Sequence, residues 1–136
     1  MFTFNDLNQI KELLKVSVTI AVVGFSPKEQ RPSNMVGRYL AQAGFKVIPV
    51  NPGQSKICGL TCYPDLSAVP EKIDIVVIFR RSKDVLPVVE EAVRIGAKTV
   101  WMQQGIINEE AAEHALKAGL FVVMDRCIKV DHEMLP

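Results

Sequence analysis

Cysteine is scarce in this sequence: Cys58, Cys62 and Cys127 are an odd number at unpatterned spacings. That excludes the disulfide framework of a small secreted domain and points to a reducing, cytoplasmic setting. Charge of one sign is lacking too, with 16 basic against 15 acidic residues and a net charge of +1. No broad nucleic-acid surface is announced, so any anion site has to be built locally. Long apolar runs are missing. The longest, Val18 to Phe25, is interrupted by Thr19 and Gly24 and falls well short of a bilayer span. Met1 to Lys15 lacks the basic-then-apolar layout of an export signal. Neither membrane nor nucleic acid is expected as a partner.

The apolar share, 49%, is ample for a packed core, and the length suits one domain over 1–136. A leading helix is expected within 1–15, about Asp6 to Leu14, with Leu7, Ile10 and Leu14 on one side. A tail is expected over 126–136. Between them, five short blocks rich in β-branched residues recur: Val18–Gly24, Phe45–Val50, Ile73–Phe79, Lys98–Met102 and Leu120–Asp125. Most do not alternate polar with apolar, as befits strands covered on both faces of a parallel sheet.

The intervening stretches read as helices. Ser33 is a candidate cap for a helix carrying Val36, Tyr39, Leu40 and Ala43 and stopping at Gly44. Asp84 would cap a second, with Pro87 in its first turn and Gly96 at its end. Asn108, followed by Glu109 and Glu110, opens a third that ends at Gly119. Strand and helix in alternation predict an α/β fold. Specifically, it is a Rossmann-like, doubly wound, five-stranded parallel sheet between two helical layers.

Such sheets bind ligands beyond the carboxyl ends of their strands, which narrows the search to the loops there. After the first strand, Gly24 permits close approach, Ser26 offers a hydroxyl, and Lys28 and Arg31 offer charge. Ser33 and Asn34 stand where a helix begins. These are the parts of a phosphate site at a helix N-terminus, although an ordinary capped turn would explain Gly24 and Ser33 alone. The loop has neither G-x-G-x-x-G nor a P-loop Gly-Lys-Ser/Thr.

The second strand ends in Asn51-Pro52, where an NAD site usually carries an acid for the ribose. Asn51 tolerates a nearby phosphate, which favours a nucleotide with an additional ribose phosphate, and Lys56 could supply charge. The same residues also make a good turn. After the third strand come Phe79, Arg80 and Arg81, apolar wall and guanidinium groups suited to phosphate. After the fourth, Gln103 and Gly105 offer a hydrogen bond and close approach. Trp101 is expected in the core, with Met102 pointing the other way.

The series V-V-G-F-S…R-P-S-N, V-I-P-V-N-P, I-F-R-R, W-M-Q-Q-G and M-D-R-C-I resembles the small stand-alone CoA-binding proteins. These are similar to the CoA-binding domain of succinyl-CoA synthetase alpha subunits, and the likeness covers roughly residues 15 to 130. It implies coenzyme A held across the strand ends. Gly24, Phe25 and Ser26 with the following helix start would meet the pyrophosphate. Asn51, Pro52 and Lys56 would lie by the adenosine and its 3′-phosphate, with Phe79 and Arg80 opposite and Gln103 and Gly105 along the pantetheine arm. The synthetases carry their phosphohistidine in a further domain. Here His114 sits mid-helix and His132 in the tail, both expected at the surface, and neither has a nucleophile-and-carboxylate constellation around it.

The expectation is therefore non-catalytic binding of coenzyme A or an acyl-CoA. A small NAD(P)-binding oxidoreductase or redox sensor is the alternative, and an adaptor with a vestigial cleft a third reading. Cys58, Cys62, Cys127 and His132 are too loosely spaced for a structural zinc site. Cys127 could lie near the thiol end of bound CoA, with Arg126 beside it, or be a buried inert thiol.

Overall fold

The computed structural model describes residues 5–136. Helix α1 (Leu7–Val16) starts at Asp6, whose carboxylate accepts from the N–H groups of Asn8 and Gln9. That is an N-cap satisfying donors the helix cannot reach. It buries Ile10, Leu13 and Leu14. Leu7, expected beside them, is left exposed, because the first turn overhangs the sheet.

Then follow β1 (Thr19–Val23), α2 (Pro32–Gln42), β2 (Lys46–Val50), β3 (Lys56–Ile57), β4 (Leu60–Thr61) and β5 (Ile75–Ile78). After these come α3 (Val85–Arg94), β6 (Thr99–Met102), α4 (Glu109–Lys117), β7 (Phe121–Met124) and α5 (Ile128–Glu133). Five strands form one sheet in the order β2-β1-β5-β6-β7, every pairing parallel. The doubly wound, Rossmann-like architecture expected from the sequence is the one observed.

Alternate residues of each strand face opposite ways, so the sheet builds two cores. Ile20, Val22, Ile75, Val77, Trp101 and Val123 pack with Ile10, Leu14, Val36, Leu40 and Ile128 of α1, α2 and α5. Ala21, Val23, Val76, Ile78, Val100 and Met102 pack with Val85, Val89, Ala92, Ala111 and Ala115 of α3 and α4. Trp101 and Met102 lie on opposite faces as expected, both fully buried. Continuous burial on both faces explains why the strands read as unbroken apolar runs.

Pro49 sits in the middle of β2, an edge strand of the sheet. A proline is tolerated there because its missing N–H would point outward, while its carbonyl still accepts from Tyr63 N–H at 3.1 Å. At the opposite, amino end of the strands Asp74 accepts from the N–H groups of Val18 (2.8 Å) and Thr19 (3.0 Å). Burial alone would raise that carboxyl's pKa, but these bonds and the Lys98 ammonium outweigh it and hold it below the usual carboxylate range. No helix among the described residues is long and apolar enough to cross a membrane.

Four local expectations are corrected. Ser33 does not cap α2: Arg31 holds the N-cap position and Pro32 begins the helix. Proline's fixed φ and absent N–H suit that first place. Asp84 precedes α3 without capping it, its carboxylate taken by Arg81 Nε at 3.2 Å. Residues 51–62, expected as plain loop, contain the β3–β4 hairpin, whose Cys58-Gly59 turn has both residues at positive φ (53° and 77°). Such mirror-image turns match strand twist.

The tail, finally, contains α5. There His132, expected at the surface, takes the Tyr39 hydroxyl at 2.7 Å on Nδ1. Its ring stands edge-on to Tyr39 and Phe45. His114 is exposed on α4, as expected.

Candidate functional site

Strands β1 and β5 are neighbours, yet α2 and α3, which follow them, lie on opposite faces of the sheet. The connecting loops therefore part at the carboxyl end and leave a crevice, as at every switch in strand order. Gly24 closes its floor. Its φ is +85°, and a Cβ there would stand 2.2 Å from the Phe79 carbonyl oxygen. Only glycine lets the two strand ends approach so closely. Over this floor lies a cleft of about 310 Å³, lined by Gly24, Ser26, Lys28, Arg31, Pro32, Ser33 and Phe79. Five of the residues expected at the site meet here, Gly24, Ser26, Arg31, Ser33 and Phe79, together with Lys28. The lining holds two exposed cations and no carboxylate.

The loop's own hydrogen bonds decide what the cleft presents. Ser33 Oγ accepts the Ser26 N–H at 2.9 Å, and Ser26 Oγ accepts the Lys28 N–H at 3.1 Å. The carbonyl of Phe25 receives Asn51 Nδ2 and that of Ser26 receives Asn34 Nδ2, each at 2.9 Å. The Lys28 carbonyl accepts from Arg31 N–H and the Glu29 carbonyl from Arg38 Nη2 at 3.1 Å. Four loop carbonyls, the groups that would repel a phosphate, are thus engaged by internal donors. The N–H groups of Phe25 and Ser33 have no protein acceptor among the described residues. An unpaired N–H at a helix start, as at Ser33, is the kind of group that helix N-termini offer to anions.

Several expected ligand groups turn out to be scaffold. Phe25 is fully buried, its ring tucked beneath α2, where a Cβ on Gly37 would stand 2.1 Å from it. Phe25 does not line the cleft. Asn34 is also fully buried, bonded to Ser26, to Arg38 Nε (2.7 Å) and to Cys58 Sγ (3.5 Å). Asn51 spends its amide on the Phe25 carbonyl and its oxygen on Gly53 N–H, tying the loops after β1 and β2 together. Pro52 and Lys56 are exposed, Lys56 on the hairpin. Arg80 is half-buried beside the cleft and makes no protein hydrogen bond or ion pair among the described residues, whereas Arg81 pairs with Asp84.

Beyond β6 and β7 the polar groups are paired with one another. Gln103 is buried, and its Oε1 accepts the Ile128 N–H at 2.9 Å, anchoring the start of α5. Gly105 N–H donates to Asp125 Oδ1 at 2.7 Å. Arg126 reaches Asp131 through two bonds, 2.7 and 2.8 Å. Those bonds raise its pKa further, against the opposing effect of burial. Arg126 is thus committed to Asp131. Cys127 is half-buried at the start of α5. Cys62 is buried, and desolvation pushes its thiol pKa up.

Arg38, which ties Asn34 to the Glu29 carbonyl, is the one bracing residue the sequence reading left out. Its spacing of four from Asn34, neighbours on one helical face, is the signal that could have found it.

The CoA binding domain family matches residues 18–133 of this chain. An uncharacterized protein of Bacillus subtilis, YneT, is 43% identical over 124 residues, covering 91% of this chain and 92% of that protein. A solved structure of a hypothetical protein from Pyrococcus horikoshii superposes with a TM-score of 0.93 at 38% identity, over 99% of this chain and 97% of that one. An ADP-forming acetate–CoA ligase of Archaeoglobus fulgidus is 29% identical over 119 residues. That match takes in 80% of this chain but only 17% of the ligase's length. A parallel sheet with a cleft at its switch point, and a family match running from just before β1 to the end of α5, lead to one assignment: the chain belongs to the CoA binding domain family.

Proposed function

We propose that this protein binds coenzyme A, free or acylated, at the carboxyl ends of its strands, and that it does so without catalysing a reaction. The observation that carries the reading is the cleft after β1. Four of its loop carbonyls are engaged internally, while the Ser33 N–H, Lys28 and Arg31 are left along the cleft that would take an anion. A diphosphate fits that chemistry. Arg80, unpaired at the rim, offers a guanidinium to a further phosphate such as the 3′-phosphate of the adenosine. Phe79 offers an apolar wall to the base or the pantetheine chain.

The absence of catalysis is supported by where the two histidines lie. His114 is exposed on α4, and His132 is bonded to Tyr39 and stands edge-on to Phe45. Neither lines the cleft.

Thermal unfolding with coenzyme A, dephospho-CoA, NADH and NADPH tests the proposal. A ligand at about 100 times its dissociation constant stabilises the native state by about 2.7 kcal/mol. Coenzyme A is expected to raise the unfolding midpoint more than dephospho-CoA, and both more than the nicotinamides. The double variant Lys28→Ala/Arg31→Ala should lose most of that shift. A larger response to NADH or NADPH would favour an oxidoreductase, and no response to any ligand would end the binding reading.

A further inference from the structure

We infer that Arg38, outside the cleft and untouched by ligand, is the positioning residue that makes the loop after β1 accept an anion. The inference rests on the coenzyme A reading and extends it to the device that sets the site's polarity.

A primary amide is asymmetric, accepting at one end and donating at the other. Asn34 is fully buried at the start of α2, so its carboxamide must commit one end to each neighbour. Its Nδ2 donates to the Ser26 carbonyl at 2.9 Å. Turned by half a rotation, the same side chain would set its oxygen against that carbonyl, lone pair to lone pair. The Ser26 carbonyl would then be free to swing into the cleft, where it would oppose a phosphate.

Arg38 decides between the two orientations. A guanidinium has only donors, and its Nε lies 2.7 Å from Asn34 Oδ1. The amide oxygen is therefore fixed toward α2, and the NH₂ is forced toward the loop. The same guanidinium reaches the other limb, Nη2 donating to the Glu29 carbonyl at 3.1 Å. One side chain thus withdraws two carbonyls from the anion's side, Glu29 directly and Ser26 through Asn34. A partner carboxylate for Arg38 is missing among the described residues, so no competing ion pair pulls it away.

Arg38 is itself exposed and lies outside both core clusters. Its substitution opens no core cavity but leaves the fully buried Asn34 Oδ1 without a donor, so folding weakens moderately and binding is read at a temperature well below the midpoint.

The test compares wild type with Arg38→Ala, Arg38→Met and Arg38→Lys, measuring dissociation constants for coenzyme A and inorganic pyrophosphate by calorimetry and the unfolding midpoint without ligand. Ala and Met are expected to weaken both ligands about tenfold, the scale of one lost charge-assisted hydrogen bond. The ligand-free midpoint should fall by a few degrees in Ala and Met alike, from the unsatisfied Asn34 Oδ1, and recover in Lys. Lys, which can still donate to Asn34 Oδ1, should recover most of the loss. Unchanged affinity in the Ala variant would overturn the inference, as would a Met variant that binds like wild type or a Lys variant as weak as Ala. If wild type takes pyrophosphate with this Arg38 dependence but ignores coenzyme A, the coenzyme reading fails and the positioning role stands. If wild type takes neither, both fall.

Discussion

Two regions at the same end of the sheet have opposite polar logic. After β1, the backbone carbonyls are engaged, while N–H groups and two cations stay unspent around an open cleft. After β6 and β7, most of the polar groups are matched: Gln103 with Ile128 N–H, Gly105 N–H with Asp125, Arg126 with Asp131. Position on the fold therefore does not by itself make a binding group. What distinguishes the two ends is whether hydrogen-bonding capacity is left over, because a group already satisfied gains little by exchanging one partner for another. The first region leaves donors and cations over, as the proposed anion site requires; the second holds α5 down.

Three variants sharpen or break that contrast. The largest effect is expected from Gly24→Ala. It adds a Cβ 2.2 Å from the Phe79 carbonyl oxygen at a φ of +85°, a backbone clash no side-chain rotation relieves. Stability should fall by about 3 kcal/mol or more, and the cleft should lose its ligand with it. Denaturant unfolding reads the first and ligand-induced thermal shift the second. A variant as stable as wild type would mean the two strand ends are not tightly apposed.

Asp131→Ala comes next. It strips the paired bonds from Arg126 and should cost about 2 kcal/mol, the range for hydrogen bonds to charged groups. Affinity for coenzyme A should not change. If affinity falls in step with stability, the β6–β7 end belongs to the site and the contrast between the two regions dissolves.

The smallest effect on the fold, near zero, is expected from Arg80→Ala. Among the described residues Arg80 makes no ion pair or protein hydrogen bond that would be lost. Its effect should appear in binding alone, a loss of about 1.5–3 kcal/mol in affinity for coenzyme A if it meets a phosphate. Equal affinity in wild type and variant would confine the anion site to the loop after β1.

The strands and most helix ends were legible because their causes are local. A run such as Ile75–Ile78 is buried on both faces wherever it sits in a parallel sheet, and Asp6 and Asn108 cap helices through atoms two or three residues away. Ser33 was misread for an instructive reason. Serine is a good cap, but Pro32 had already begun the helix, leaving the Ser33 hydroxyl to hold Ser26 instead. Helix α5 was illegible because its six residues have too little local preference to declare themselves. It is held by Gln103, Tyr39 and Asp131's partner Arg126, of which the first two lie far away in the chain.

By itself, the order of residues determined the alternation of strand and helix, the five-stranded parallel sheet and the loop in which to look for an anion. Periodicity, caps and glycine placement act over a few residues and need no distant partner. Tertiary structure alone decided which polar residues remain available. Asn34 and Asn51 look like ligand groups in the chain and are braces in the fold, because an amide has two ends and only its neighbours in space settle where each one points.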